Sequence, residues 1–286
     1  MQKEIRWLLK EKYPSASLRA SNRKPPAQFK KDIERLKAGE PVDYVIGFTE
    51  FLGCKIDLSK KPLIPRSETE YWVEKAIREI KNGRPFGAAQ GKILHILDIF
   101  AGSGCIGIAI LKNIKNAKVH FAEKDKKALE QIKINCKINK IKSDRYKIIQ
   151  SDVFKGLNPS SSRFFRAKYD FVFANPPYIP DYRKNPSDPE GAPLRAILRN
   201  RIQKSVLKYE PKKAIFGGKD GLFYIKKFLK DAPSFVKTSE GRGKIYMEFD
   251  CVQKIEIEKL LKNFGYKNCE FHKDQYDRWR WVGVRC

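Results

Sequence analysis

An α/β fold, an open and mostly parallel sheet with helices on both faces, is the architecture this sequence predicts. Three observations predict it. From residue 93 onward, short apolar runs of strand length alternate with segments of helical periodicity. A glycine-rich turn, Gly102-x-Gly104-x-x-Gly107, separates the first run from a helix. An acid, Glu123, then closes the next run.

The elements follow in order. Residues 1–40 form a short basic helical N-terminal segment. Phe29, Ile33 and Leu36 recur at helical spacing before Gly39, and residues 14–28 read as a linker. Residues 41–80 read as a connecting hairpin and helix. The hairpin or extended segment covers 44–58, with Gly47 and Gly53 as punctuation. The helix covers 71–80. Ser67 or Thr69 would cap it, and Glu68 and Glu70 suit its positive end. Residues 81–92 read as a surface loop that opens the main domain, 81–286.

Within that domain, strands are expected at 93–99, 119–123, 146–150, 169–174 and 244–249. Helices are expected at 106–112, 126–138, 221–230 and 252–263, and a closing strand pair at 269–272 and 279–285.

Bulk properties narrow the function classes. The chain has 286 residues, with 41% hydrophobic and 12% aromatic content, enough for one large domain with a small appendage. Lys+Arg number 60 against 33 Asp+Glu, a formal charge of +27. Such a charge raises encounter rates with anionic partners such as ribosomes or RNA, although a basic proteome or simple solubility gives the same balance. Six cysteines form no C-x-x-C, and no His stands at zinc-ligand spacing. A disulfide framework and a structural metal are therefore not expected, and free thiols suit a reducing, cytoplasmic setting. Residues 1–12 lack a signal-peptide pattern. The most apolar stretch, 93–111, contains His95, Asp98 and three glycines, so it reads as strand, turn and helix rather than a membrane span.

The glycine turn lets a backbone approach a ligand closely. Its spacing formally satisfies a dinucleotide fingerprint, so a nicotinamide cofactor stays open on this motif alone. Glu123 lies near the separation of about 20 residues at which an acid grips ribose hydroxyls. Asp125 competes for that role but lies past the strand end. Asp152, after the third strand, could accept from an adenine amino group with Val153 and Phe154 packing on the ring, or simply cap a turn. Asp98 could orient the glycine-loop amides or cap the next helix. Arg66 and Glu68 could shape a pocket or belong to a helix start.

The strand at 169–174 runs straight into Asn175-Pro176-Pro177-Tyr178. Ligands of open parallel sheets bind beyond the carboxyl ends of the strands, which sets this motif beside the glycine loop. The chemistry that fits is methylation of a planar nitrogen. An amide or aromatic amine is a poor nucleophile because its lone pair is delocalised. The Asn175 side-chain oxygen and the Pro176 carbonyl are two acceptors that could take both N–H hydrogens and aim the nitrogen. Prolines fix the backbone and add no competing donor. Tyr178 offers a flat face to a planar group. Hydride transfer has no evident use for this motif.

With Gly39-Glu40-Pro41-Val42-x-Tyr44, Ile64-Pro65-Arg66-Ser67-Glu68-Thr69-Glu70, the Asp98 glycine loop, Asn175-Pro176-Pro177-Tyr178-Ile179-Pro180, Tyr209-Glu210-Pro211 and Gly217-Gly218-Lys219-Asp220-Gly221, the chain resembles the HemK/PrmC family of protein-glutamine N-methyltransferases from about Gly39 to Cys286. The resemblance implies a Rossmann-like, class I S-adenosylmethionine-dependent methyltransferase sheet of seven strands, the last one antiparallel. It implies that Phe100, Ala101, Gly102, Ser103, Gly104, Glu123, Asp152, Val153 and Asn175 contact S-adenosylmethionine. It also implies that Asn175, Pro176, Pro177 and Tyr178 hold the glutamine of a Gly-Gly-Gln motif in a peptide chain release factor. Adenine-N6 or other nucleic-acid methylation is the alternative, because such enzymes share Asn-Pro-Pro-Tyr. A catalytically idle RNA-binding factor on the same fold is a third reading. The sequence departs from the family in having only residues 1–40 before the shared region, where members carry a larger helical domain. Ser67 replaces a common proline, Val153 stands where a bulky aromatic is sometimes found, and 81–92 and 158–168 look inserted.

Overall fold

A computed structural model of the chain describes residues 1–14, 26–82, 93–157, 169–181, 202–236 and 243–285. Residues 83–92 of the expected loop at 81–92, the expected loop at 158–168 and most of the linker lie outside these residues, while residues 81 and 82 are helical instead of loop.

The N-terminal segment is helical: α1 (Gln2–Lys12), α2 (Ala27–Lys37) and α3 (Val42–Ile46). Their apolar faces meet in a small cluster around Leu8, Leu36, Val45 and Ile46. Asp32 is fully buried there and is held by Lys12 at 2.8 Å, Arg35 at 3.2 Å and the Tyr13 hydroxyl at 2.8 Å. The hairpin is shorter than its expected range. It consists of β1 (Phe48–Phe51) and β2 (Cys54–Asp57), because residues 42–46 are helical instead of extended. Pro41 precedes that turn of helix, and Gly47 ends it with a left-handed φ of 101°. Next comes α4 (Ser67–Asn82), longer than expected. Ser67 is its first residue, and Thr69 lies inside it with its hydroxyl turned to Glu248, so Thr69 is no cap.

The main sheet contains β3 (Leu94–Ile99), β4 (Ala117–Glu123), β5 (Tyr146–Gln150), β6 (Phe171–Ala174), β7 (Lys244–Glu248), β8 (Asn268–Lys273) and β9 (Trp279–Arg285). Their order is β5-β4-β3-β6-β7-β9-β8. The first five run parallel, and β9 is antiparallel to both β7 and β8. Helices α5 (Cys105–Asn113), α6 (Lys126–Ile138), α7 (Lys204–Tyr209), α8 (Lys212–Ile215), α9 (Phe223–Asp231) and α10 (Lys254–Asn263) complete the described elements.

Strand periodicity divides the core into two layers. Ile96, Phe121, Phe171, Phe173 and Tyr246 face α4 and α5, while Leu97, Ile99, Val172, Ala174 and Met247 face α9 and α10. On the first face Trp72 of α4 stacks on Phe173 and Trp281, with ring centroids 6.0 and 6.1 Å apart. Asp98 shares that face with Ile96, and its Oδ2 accepts the Gly107 N–H at 2.9 Å.

Gly107 has no room for a side chain. A Cβ there would lie 2.3 Å from Phe121 Cε1 and 2.9 Å from Val119 Cγ1. The third glycine of the turn is therefore a contact between helix and strand. We expect Gly107→Ala to lower unfolding stability by about 1–3 kcal/mol through overpacking, measured by urea denaturation.

Asp98 makes unfolding depend on pH. Burial raises its carboxyl well above the usual carboxylate range. Above about pH 4 the unfolded chain releases this proton while the folded chain keeps it, so the stability contributed by Asp98 declines as pH rises toward the folded value. Asp98→Asn keeps an acceptor for Gly107 and cannot titrate. Urea unfolding at several pH values should show wild-type stability declining relative to Asp98→Asn through this window.

Candidate functional site

The carboxyl ends of β3, β4, β6 and β7 converge, since all four run parallel. The loop after β3 is built from strained backbone. Phe100 has φ 61°, an uncommon value for a residue with a side chain that costs on the order of 1–3 kcal/mol. Gly102 and Gly104 follow with φ 54° and 77°. Ala101 and Ser103 are buried, and the Ser103 carbonyl accepts from Asn135 of α6 at 2.9 Å. Asp98 lies beneath the loop. Its Oδ1 is buried with no hydrogen-bond partner among the described residues.

Glu123, at the tip of β4, ties this loop to its neighbour. Its Oε2 accepts the Gly102 N–H at 2.9 Å, and Oε1 accepts the N–H groups of Lys124 and Asp125 at 2.7 and 2.8 Å. Burial nevertheless raises its carboxyl above the usual range. Asp125 does something different. Its side chain caps α6 by accepting from Lys127 and Ala128.

Beyond β5, Asp152 meets two ammonium groups, Lys227 Nζ at 2.7 Å and Lys124 Nζ at 2.9 Å. The Lys227 contact is the main reason its carboxyl lies below the usual range. Val153 follows with φ 55° and is buried beside Phe154. Strained, non-glycine backbone thus occurs at two of the positions singled out from the sequence, Phe100 and Val153.

The Asn-Pro-Pro-Tyr motif leaves the tip of β6. Its backbone is gripped from the far side of the chain. Ile179 and residues 215–217 exchange hydrogen bonds of 3.0 and 2.8 Å, and Gln253 Nε2 donates to the Tyr178 carbonyl at 3.0 Å. A Cβ on Gly217 would fall 2.3 Å from the Pro177 carbonyl oxygen, and one on Gly221 would fall 2.2 Å from that of Tyr178. The Gly217-Gly218-Lys219-Asp220-Gly221 segment therefore packs directly against the motif. The Asn175 Nδ2 donates to Thr69 Oγ1 at 3.3 Å.

Glu248 escaped the sequence analysis. It is 1% exposed at the end of β7. Its Oε2 accepts from Thr69 Oγ1 and from Trp72 Nε1, both at 2.7 Å, and its Oε1 accepts from the Tyr178 hydroxyl at 3.1 Å. Burial raises its carboxyl, while Arg280 and these donors pull it back down. An acid at the end of a buried parallel strand was a readable signal, because that sheet edge is where ligands bind.

A groove opens beside the motif, lined among others by Leu63, Arg66, Glu68, Asn175, Tyr178 and Arg280. Arg66 pairs with Glu210 at 2.7 Å, and Glu210 also accepts the Ile64 N–H at 3.1 Å. The Pro-Arg-x-Glu-Thr-Glu element is thereby fastened to the Tyr-Glu-Pro segment. Arg280 pairs with Asp274 at 3.0 Å. Burial pushes the thiols of Cys54 up to about 11 and those of Cys105 and Cys136 up to about 12, so these cysteines are protonated at neutral pH and are poor nucleophiles. No described helix is long and apolar enough to cross a membrane.

Comparison with known proteins agrees with this geometry. Residues 88–186 match the methyltransferase small domain model. The release factor glutamine methyltransferase of Flavobacterium psychrophilum is 30% identical over 258 residues, covering 90% of this chain and 79% of that protein. Its counterpart from Streptococcus pneumoniae is 31% identical over 259 residues, with the same two coverages. Among solved structures, the N-terminal domain of human METTL16 in complex with SAH superimposes with a TM-score of 0.55 at 18% identity, covering 99% of this chain and 94% of that one. That likeness is one of fold. The loop of β3, the tethered Glu123 and the unpartnered Asp98 oxygen fit S-adenosylmethionine as the cofactor. The chain belongs to the release factor glutamine methyltransferase (HemK/PrmC) family of S-adenosylmethionine-dependent methyltransferases.

Proposed function

We propose that the protein transfers a methyl group from S-adenosylmethionine to the side-chain amide nitrogen of a glutamine, in the Gly-Gly-Gln motif of a peptide chain release factor. The observation that carries this reading is the clamped Asn175-Pro176-Pro177-Tyr178 backbone at the tip of β6, beside the strained loop of β3. Relatives named for the same activity support it.

When bound, S-adenosylmethionine supplies an activated methyl on a sulfonium, so no strong base is required. In this reading Phe100, Ala101, Gly102, Ser103 and Gly104 cradle the cofactor, and Glu123 receives its ribose hydroxyls. Asp152, with Val153 beside it, takes the adenine amino group and shares its oxygens with Lys124 and Lys227. Asn175 borders both the cofactor and the acceptor. The Asn175 side-chain oxygen and the Pro176 carbonyl each accept one N–H of the glutamine amide, which holds the nitrogen lone pair toward the methyl group. Tyr178 supports the planar amide. Pro176 and Pro177 keep the acceptors rigid. The groove along Arg66, Glu68 and Arg280 receives the chain flanking the glutamine. The free cysteines Cys54, Cys105, Cys136, Cys251 and Cys269, the first three of them buried, suit a cytoplasmic enzyme of translation.

Methyl-labelled cofactor should mark a release factor and leave its Gln→Ala variant unmarked. Label that persists on the variant, or appears only in RNA or DNA, rejects the glutamine assignment. Asn175→Ala should lower transfer by about 100-fold or more, the scale of losing one oriented transition-state contact. Cofactor affinity, measured by calorimetry, should change little.

A further inference from the structure

We propose that Glu248 is a positioning residue that fixes, through Thr69, which end of the Asn175 amide faces the substrate. The proposal rests on the reading of Asn175 as an acceptor given above. The two ends of an asparagine amide are nearly equal in size, yet a half-turn exchanges an acceptor for a donor. A turned Asn175 would present N–H groups to the N–H groups of the glutamine, and the acceptor pair would be lost.

The hydrogen-bond directions around Glu248 forbid that turn. The Trp72 indole has only an N–H to offer, and it points at Oε2. The Thr69 hydroxyl has one proton, which is committed to the same oxygen at 2.7 Å. What Thr69 has left is a lone pair, and of the two ends of the Asn175 amide only the NH2 can donate to it. The Asn175 Nδ2 therefore lies on the Thr69 side at 3.3 Å, and the carbonyl Oδ1 is the other end of the amide. A turned amide would set two oxygens against each other in a partly buried site.

The second oxygen of Glu248 holds the Tyr178 hydroxyl at 3.1 Å. One carboxylate thus sets both ends of the motif. Strand periodicity explains how it reaches them. Glu248 lies two residues beyond Tyr246, on the face that packs against Trp72 of α4. Burying a carboxylate is costly unless its oxygens are satisfied, and here three donors and a nearby guanidinium satisfy it.

Thr69→Val keeps the side-chain shape and removes the hydroxyl. With a glutamine-bearing release factor as acceptor, Thr69→Val should lower kcat by about 100-fold, the scale of a misaligned reacting group. KM and cofactor affinity should change little, and Thr69→Ser should recover most of kcat. Trp72→Phe removes a donor from the same oxygen without touching the Thr69–Asn175 contact, so it should lose far less kcat than Thr69→Val. Equal losses in the two variants, or a folded Thr69→Val with wild-type kcat, would overturn the proposal. Thr69→Ala carries the same comparison should the valine variant unfold. An acceptor-independent readout is hydrogen exchange of the Asn175 side-chain NH2 in 15N-labelled protein, assigned with Asn175→Ala. Exchange should be slow in wild type and Thr69→Ser and fast in Thr69→Val. Unchanged exchange overturns the relay even if the glutamine is methylated. Slow exchange lost in Thr69→Val upholds it even if the acceptor proves to be another planar amine.

Discussion

A carboxylate as buried as Glu248 survives only where donors surround it, and the three donors here come from two separate parts of the chain. Thr69 and Trp72 arrive on α4, and Tyr178 arrives from the loop after β6. Loss of any one of them would leave a buried carboxylate less well satisfied, with the remaining donors and Arg280 to offset its burial. The same requirement that holds α4 on the sheet therefore holds the Asn175 loop at a set distance from it. Folding and preorganisation are satisfied by one set of contacts.

The neighbouring half of the site uses acids differently. Glu123 is tied to backbone N–H groups of its own turn and of the β3 loop. Asp152 is neutralised by two lysine side chains. Asp98 has one oxygen on α5 and the other without a partner among the described residues. These three carboxylates form a graded series. The first is locked by main chain, the second is held by two lysine side chains, and the third is half committed. Strained backbone at Phe100 and Val153 flanks the series, consistent with a loop shaped for binding at some expense of local stability.

Much of this was legible in the sequence wherever a single element carried the signal. The spans of β5 and α6 agree residue for residue with periodicity alone. The Asn-Pro-Pro-Tyr tip followed from the strand before it. What escaped was produced by pairing across distance. Thr69 reads as a helix cap until Glu248, 179 residues away, is packed against it. Arg66 has no evident role until Glu210 arrives 144 residues later. The short helix α3 was hidden because Gly47 and Gly53 suggest a hairpin to local reasoning, whereas Gly47 ends a helix. Local patterns yield elements, while tertiary satisfaction of polar groups yields the site.

The route by which Glu248 finds its donors bears on how the molecule can be divided. The stretch recognisable as a methyltransferase begins at residue 88, yet Thr69, Trp72 and the Trp72–Phe173–Trp281 stack belong to α4. A fragment cut after Asn82 would keep the glycine loop and the Asn-Pro-Pro-Tyr tip and lose the helix whose Thr69 and Trp72 donate to the buried Glu248. A piece that keeps this network is thus longer than the piece a motif search would excise, because a strand near the other end of the chain draws its hydrogen-bond donors from α4.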